Sequence, residues 1–191
     1  MELQNFNIKS FVEDPGTLDL PSFNAIFQKW IREKATADVL IDVADYLHIP
    51  EGPGMVLIGL EADYAMDHTD GRWGLKYNRK AALPGDNQER LRSALQCNLL
   101  GCQRLESDPQ LAGKIKFRVD EIEIFINDRA LAPNTPETWQ ACQKDFQSVL
   151  EKLYGGTAFK MEKEKDPRAR FGVRVSNPEA PSLSRLLKNL E

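Results

Sequence analysis

Residues 39–80 read VLIDVADYLHIPEGPGMVLIGLEADYAMDHTDGRWGLKYNRK, and the spacing of their apolar positions decides the fold class. Val39, Ile41 and Val43 alternate with Leu40, Asp42 and Ala44, the period of a strand. The prolines and glycines of His48-Ile49-Pro50-Glu51-Gly52-Pro53-Gly54 cannot continue it. Met55 to Leu60 is an apolar run with one glycine, which predicts a central strand covered on both faces; beyond Leu60 the same strand alternates and is half buried. Asp70-Gly71 tolerates the positive φ of a tight hairpin turn. Pairing about that turn sets Tyr64 opposite Tyr77, Met66 opposite Leu75 and His68 opposite Trp73. It also sets Asp63 opposite Asn78 and Glu61 opposite Lys80 on the other face. The stretch therefore reads as three consecutive strands with one aromatic face and one face of opposed charges and amides.

Helical periods flank it. Phe23, Ile26, Phe27, Trp30 and Ile31 recur on one helical face behind Pro21, with Ser22 as the expected N-cap. Asp86 and Glu89 stand at capping-box spacing ahead of a stripe of Leu91, Leu95, Leu99, Cys102 and Leu105. A third helix opens at Thr135-Pro136, buries Trp139, Cys142, Phe146, Val149, Leu150 and Leu153, and stops at Gly155-Gly156. Between the last two, residues 114–127 read as strand, but their apolar phase slips from Ile115, Phe117 and Val119 to Ile122, Ile124 and Ile126. A turn or bulge at Asp120-Glu121 would restore the register. A hairpin over 158–175 turns at Asp166-Pro167, and a stiff linker leads to a terminal helix with Leu183, Leu186, Leu187 and Leu190 on one side.

The expected fold is α+β, a two-layer packing of a largely antiparallel sheet with helices. Its order is α-β-β-β-α-β(β)-α-β-β plus a short C-terminal helix. Residues 1–20 read as an N-terminal arm, 21–175 as a single α+β domain and 176–191 as linker and amphipathic tail helix.

Composition narrows the function classes. No apolar run approaches the ~18 residues a membrane helix needs, and the N-terminus has neither the basic start nor the apolar block of a signal peptide, so the cytoplasm is the expected compartment. Three cysteines without paired spacing and only two histidines argue against a disulfide framework or a zinc centre, so no metal and no cofactor is expected. A net charge of -4 argues against a general nucleic-acid binder. The Gly52-Pro53-Gly54 loop runs into a strand and lacks the lysine of a phosphate loop. His48 and His68, with a strand of over ~30 Å between them, are expected at opposite ends of the sheet.

Two surfaces remain as candidates, neither with a nucleophile–base pair, and no catalytic residue is assigned. The first is a partner surface made of Glu61, Asp63, Lys76, Asn78, Arg79 and Lys80, together with the tail leucines Leu183, Leu186, Leu187 and Leu190. The second is a ligand site of His48, Glu51, Asn127, Asp128 and Arg129, which requires the 48–54 and 127–135 loops to share one end of the sheet.

Asp45 to Gly54, Tyr77-Asn78-Arg79-Lys80-Ala81, Phe125 to Arg129 and Ala132-Pro133-Asn134-Thr135 together resemble a family of small soluble bacterial proteins, cyanobacterial ones among them. The resemblance spans roughly residues 38–175 and leaves out the terminal helix. It implies a bacterial cytoplasmic origin and carries no activity, cofactor or catalytic residue to this chain. The expectation is a non-enzymatic protein-binding or assembly factor whose partner is another protein or a second copy of itself. The alternative is a small-molecule enzyme or sensor built on the two loops.

Overall fold

The computed structural model describes residues 1–111 and 113–191. Its strands are β1 (Phe6–Val12), β2 (Leu40–Tyr46), β3 (Gly54–Gly59), β4 (Ala62–Asp67), β5 (Gly74–Arg79), β6 (Phe117–Ile126), β7 (Lys160–Lys163) and β8 (Gly172–Ser176). Its helices are α1 (Ser22–Glu33), α2 (Asn87–Ser107), α3 (Pro136–Tyr154) and α4 (Leu183–Leu190). The strands form one antiparallel sheet in the order β2-β3-β4-β5-β1-β6-β8-β7, and the helices pack on one of its faces. The expected α+β class holds and the helix–strand order holds roughly, with one strand added at the start and one more within residues 39–80.

That strand corrects the expectation for residues 1–20. Phe6–Val12 is no arm: it lies between β5 and β6, and every one of its residues is buried. Phe6, Ile8 and Val12 join the core under the helices, whereas Asn7, Lys9 and Phe11 alternate onto the opposite face. Lys9 in mid-strand is tolerated because it meets a carboxylate from β4, 58 residues away in sequence. Local pattern cannot show such a partner.

The stretch 39–80 forms four strands. Met55 and Met66 are paired residues of a β3–β4 hairpin, so the chain reverses at Leu60-Glu61 where one continuous strand was expected. Gly59 permits the reversal, since a Cβ there would stand 2.2 Å from the Ala62 carbonyl oxygen. The covering of β3 is one-sided too, because Met55 and Leu57 are buried while Val56 and Ile58 are only partly so. In β2 a register shift between Leu40 and Asp42 turns Leu40 and Val43 toward α1 and leaves Val39 and Ile41 exposed. The β4–β5 register is the expected one, with Tyr64 opposite Tyr77, Met66 opposite Leu75 and Asp63 opposite Asn78.

The helix signals hold in the main. Asp86 and Glu89 make a reciprocal capping box on α2, and Thr135 caps α3 with Pro136 in its first turn. Ser22 is the exception: Pro21 occupies the cap position, and the Ser22 hydroxyl donates to the Asp19 carbonyl. The phase slip in β6 is real, as Val12 pairs with Phe117 but Ser10 pairs with Ile122, which places the extra residues around 118–121.

The tail helix docks on its own domain. Leu186 and Leu190 are fully buried and Leu183 and Leu187 nearly so, against α2 and α3. Asn189 donates to the Leu153 carbonyl, and the linker is pinned by a buried Asn177 that donates to Thr157. Residues 176–191 therefore belong to the same core, which takes in all four leucines.

Candidate functional site

Among the described residues no helix covers one face of the sheet, and the alternation of the strands gives it many polar side chains. Following the pairing across the sheet, Lys76, Lys9, Glu123, Arg174 and Glu162 stand in one row on β5, β1, β6, β8 and β7. Asp67, at the end of β4, reaches toward this row from one side. Its carboxylate takes the Lys9 ammonium at 2.7 Å and the Lys76 ammonium, and it accepts from the Thr69 hydroxyl at 2.9 Å and the Thr69 amide at 3.2 Å. Asp67 is 0% and Lys9 3% exposed, so this is a buried ion triad with two cations on one anion.

Burial acts against both charges. It lowers the Lys9 ammonium below the usual lysine range, a shift that Asp67 only partly offsets. Burial also works to raise the Asp67 carboxyl, but the Lys76 and Lys9 ammonium groups outweigh it and hold the carboxyl below the ordinary aspartate value. The two lysines together thus keep this buried aspartate ionised.

Cations cover two aromatic rings of the face. The Arg72 guanidinium lies 3.6 Å from the centre of the Phe11 ring and grips Glu121 with two bonds of 2.7 and 2.9 Å. Arg170 lies 4.3 Å from the centre of the Phe125 ring. Between the β4–β5 tip, with Thr69 and Asp70, and the β7–β8 hairpin, with Lys163, Lys165 and Arg170, runs a groove of about 330 Å³ floored by Lys9, Lys76 and Glu123. Among the described residues that line this groove there is no histidine, cysteine or serine, and Thr69 is bonded to Asp67.

The expected partner residues divide. Lys76 lines the groove, and Asp63 and Asn78 share its face, with Asp63 bonded to Lys80 at 2.7 Å and to Asn78 at 3.3 Å. Glu61 accepts the Val39 amide. Arg79 leaves the set, since its register turns it to the helix side, where it binds Asp38 at 3.0 Å beside the Tyr64 hydroxyl. Burial there raises the Asp38 carboxyl and pushes the nearby Cys97 thiol up, so the cluster braces the core and offers no activated thiol. Leu183, Leu186, Leu187 and Leu190 leave the set as well, being buried in cis.

The expected ligand site does not assemble. The loop carrying His48 and Glu51 joins the Gly74–Phe11 end of the sheet, where the His68 amide donates to the Gly52 carbonyl at 3.0 Å. Asn127 pairs with Asn5 at the other end, about six residues or ~20 Å away along β1. Asp128 is occupied by its own turn, accepting from the Ala130 and Leu131 amides, and Arg129 is exposed. The two histidine loops, expected far apart, share one end because β3 and β4 form a hairpin. His68 stacks on Trp73 at 4.4 Å and His48 lies beside Tyr46, and no group of metal-ligating side chains occurs among the described residues.

The groove was out of reach of sequence reading. Lys9, Asp67, Glu123 and Arg170 lie in four separate segments. The only hint was the alternation Phe6-Asn7-Ile8-Lys9, which places Lys9 on a face away from Phe6 and Ile8 if the segment is a strand. Among the described residues no helix is long and apolar enough to cross a membrane. Comparison of the chain with family profiles, curated proteins and solved structures finds no match in any of them.

Proposed function

We propose that the protein is a non-enzymatic binding or assembly factor whose helix-free sheet face is the surface that a protein partner occupies. One observation supports this reading above the rest: a polar groove of about 330 Å³ on that face, floored by a buried ion triad and walled by a projecting charged hairpin. A charge laid across a rigid sheet keeps its position, so it can select a complementary surface and fix its register. The tail helix has no part in this reading, because its apolar side is already covered.

The test compares retention of partners from the native host by the wild-type chain and by a Lys165→Glu/Arg170→Glu variant with an unchanged melting curve. A partner held by the wild type and released by the variant is the expected result. Equal retention by both chains would remove the face from the function.

A further inference from the structure

The groove offers more hydrogen-bond donors than its own side chains can satisfy. A lysine ammonium carries three N–H groups and a guanidinium five. Lys9 directs one to Asp67 and one to the Thr69 carbonyl, and Lys76 directs one to Asp67. Lys163 donates to the Asn134 side chain and the Glu164 carbonyl. Arg170 donates only to the Asn127 amide oxygen, so most of its fork is free, and the exposed Lys165 forms no ion pair among the described residues.

The acids of the groove are largely engaged. Asp67 is filled by Lys9, Lys76 and Thr69; Glu123 pairs with Arg174 and Glu162 with Lys160. Glu164 accepts the Asp166 amide, which leaves Asp70 as the groove carboxylate with neither a cation nor an amide among the described residues. The lining holds six cations to five carboxylates, and the donors left over at Lys76, Lys165 and Arg170 call for acceptors that carry negative charge.

We propose that the groove receives a carboxylate-rich segment of the partner protein. Arg170 and Lys165 take one carboxylate at the hairpin wall, and the partly exposed Lys76 takes another at the floor. The inference rests on the helix-free face being the partner surface. Its free donors lie on β5 and the β7–β8 hairpin and do not converge on a single point, which suits an extended chain with spaced carboxylates. The Arg170 guanidinium rests over the Phe125 ring, a contact that restrains the fork that a carboxylate would meet. The lining is predominantly polar, unlike the mostly apolar walls of a small-molecule site.

The test is fluorescence anisotropy of labelled hexaglutamate, with labelled hexalysine as the opposite-sign probe and unlabelled inorganic pyrophosphate as competitor. The wild-type chain is expected to bind hexaglutamate at low salt, about tenfold or more tighter than hexalysine, with affinity falling as salt rises. Lys165→Met/Arg170→Met should weaken hexaglutamate about tenfold, while Lys116→Met, a change at an exposed lysine outside the groove, should leave it unaltered. Lys165→Met alone, at an exposed position, repeats the test without disturbing the Phe125 contact. Absence of hexaglutamate binding, equal binding by all variants, or a preference for hexalysine would overturn the proposal. Displacement of bound hexaglutamate by equimolar pyrophosphate would overturn it in favour of a phosphorylated small ligand. If the charge-reversed face loses its native partner and hexaglutamate still fails to bind, the partner surface stands and the acidic-segment inference falls. If hexaglutamate binds through the groove and reversing the face leaves partner retention unchanged, the groove keeps its preference for acidic chains and the face loses its role as the partner surface.

Discussion

Replacing Asp67 by Asn removes the anion shared by Lys9 and Lys76 and keeps the side-chain size. Lys9 is 3% exposed and cannot turn to water, so its charge would be left buried with only neutral acceptors, the Thr69 carbonyl and the introduced amide oxygen. Removing one partner of a buried pair costs ~3–5 kcal/mol. Two features pull the value toward the lower end. Lys76 is 17% exposed and can be solvated, and Lys9, already shifted down by burial, can shed its proton. We expect a loss of ~3 kcal/mol, read as a lower urea midpoint at unchanged m-value, or a melting temperature lower by ~6–12 °C for a chain of this size. Lys9→Met should cost far less, ~1 kcal/mol, because Lys76 and Thr69 still serve Asp67 while the thioether chain keeps the packing. In the double variant the two losses should add to less than their sum, since the stranded ammonium is gone. A loss under ~1 kcal/mol for Asp67→Asn, or strict additivity in the double variant, would refute the account of the triad.

Acid should weaken the fold through Asp67 and Glu121. Both carboxyls titrate lower in the folded chain than their ordinary values of 3.8 and 4.5, Glu121 mainly through the Arg72 hydrogen bonds, so their contributions are complete above those values and disappear as pH falls through the lower folded ones. Melting curves of Glu121→Gln should therefore lose less stability than wild type on acidification below 4.5, and an equal acid loss would count against the pairing. Leu190→Ala, at a fully buried tail position, should cost ~2–4 kcal/mol in urea unfolding, whereas a tail built to dock elsewhere would show almost no loss. Ile41→Thr, on the exposed side of β2, should stay within ~0.5 kcal/mol of wild type in the same assay, and a larger loss would place Ile41 in a contact the fold does not show. Gly54→Ala should cost at least ~2 kcal/mol, since φ there is +65° and a Cβ would stand 1.9 Å from the Met66 carbonyl oxygen; a wild-type melting curve would refute that geometry.

Local chemistry wrote much of this fold into the chain. The capping box at Asp86, the Thr135-Pro136 start and the Gly155 stop act within one or two turns, and the Tyr64–Tyr77 register follows from a turn only a few residues long. Such features depend on neighbours in sequence, so they can be read there. The placement of β1 at the sheet centre, the reversal at Leu60 and the docking of the tail were decided by tertiary structure. The first and the last turn on partners far along the chain, Asp67 for Lys9 and the α2–α3 surface for the four leucines, while the reversal at Leu60 is a short hairpin hidden within one apolar run. Apart from Lys76, already placed on the charged strand face, the candidate site belongs to this second class. A buried lysine is tolerated only where a distant carboxylate meets it, and the chain order of the strands does not tell which strands will be neighbours. The amino-acid sequence determined the α+β class, the helix boundaries and one hairpin register through short-range forces, whereas the groove exists only because the assembled sheet brings four distant segments together on one face.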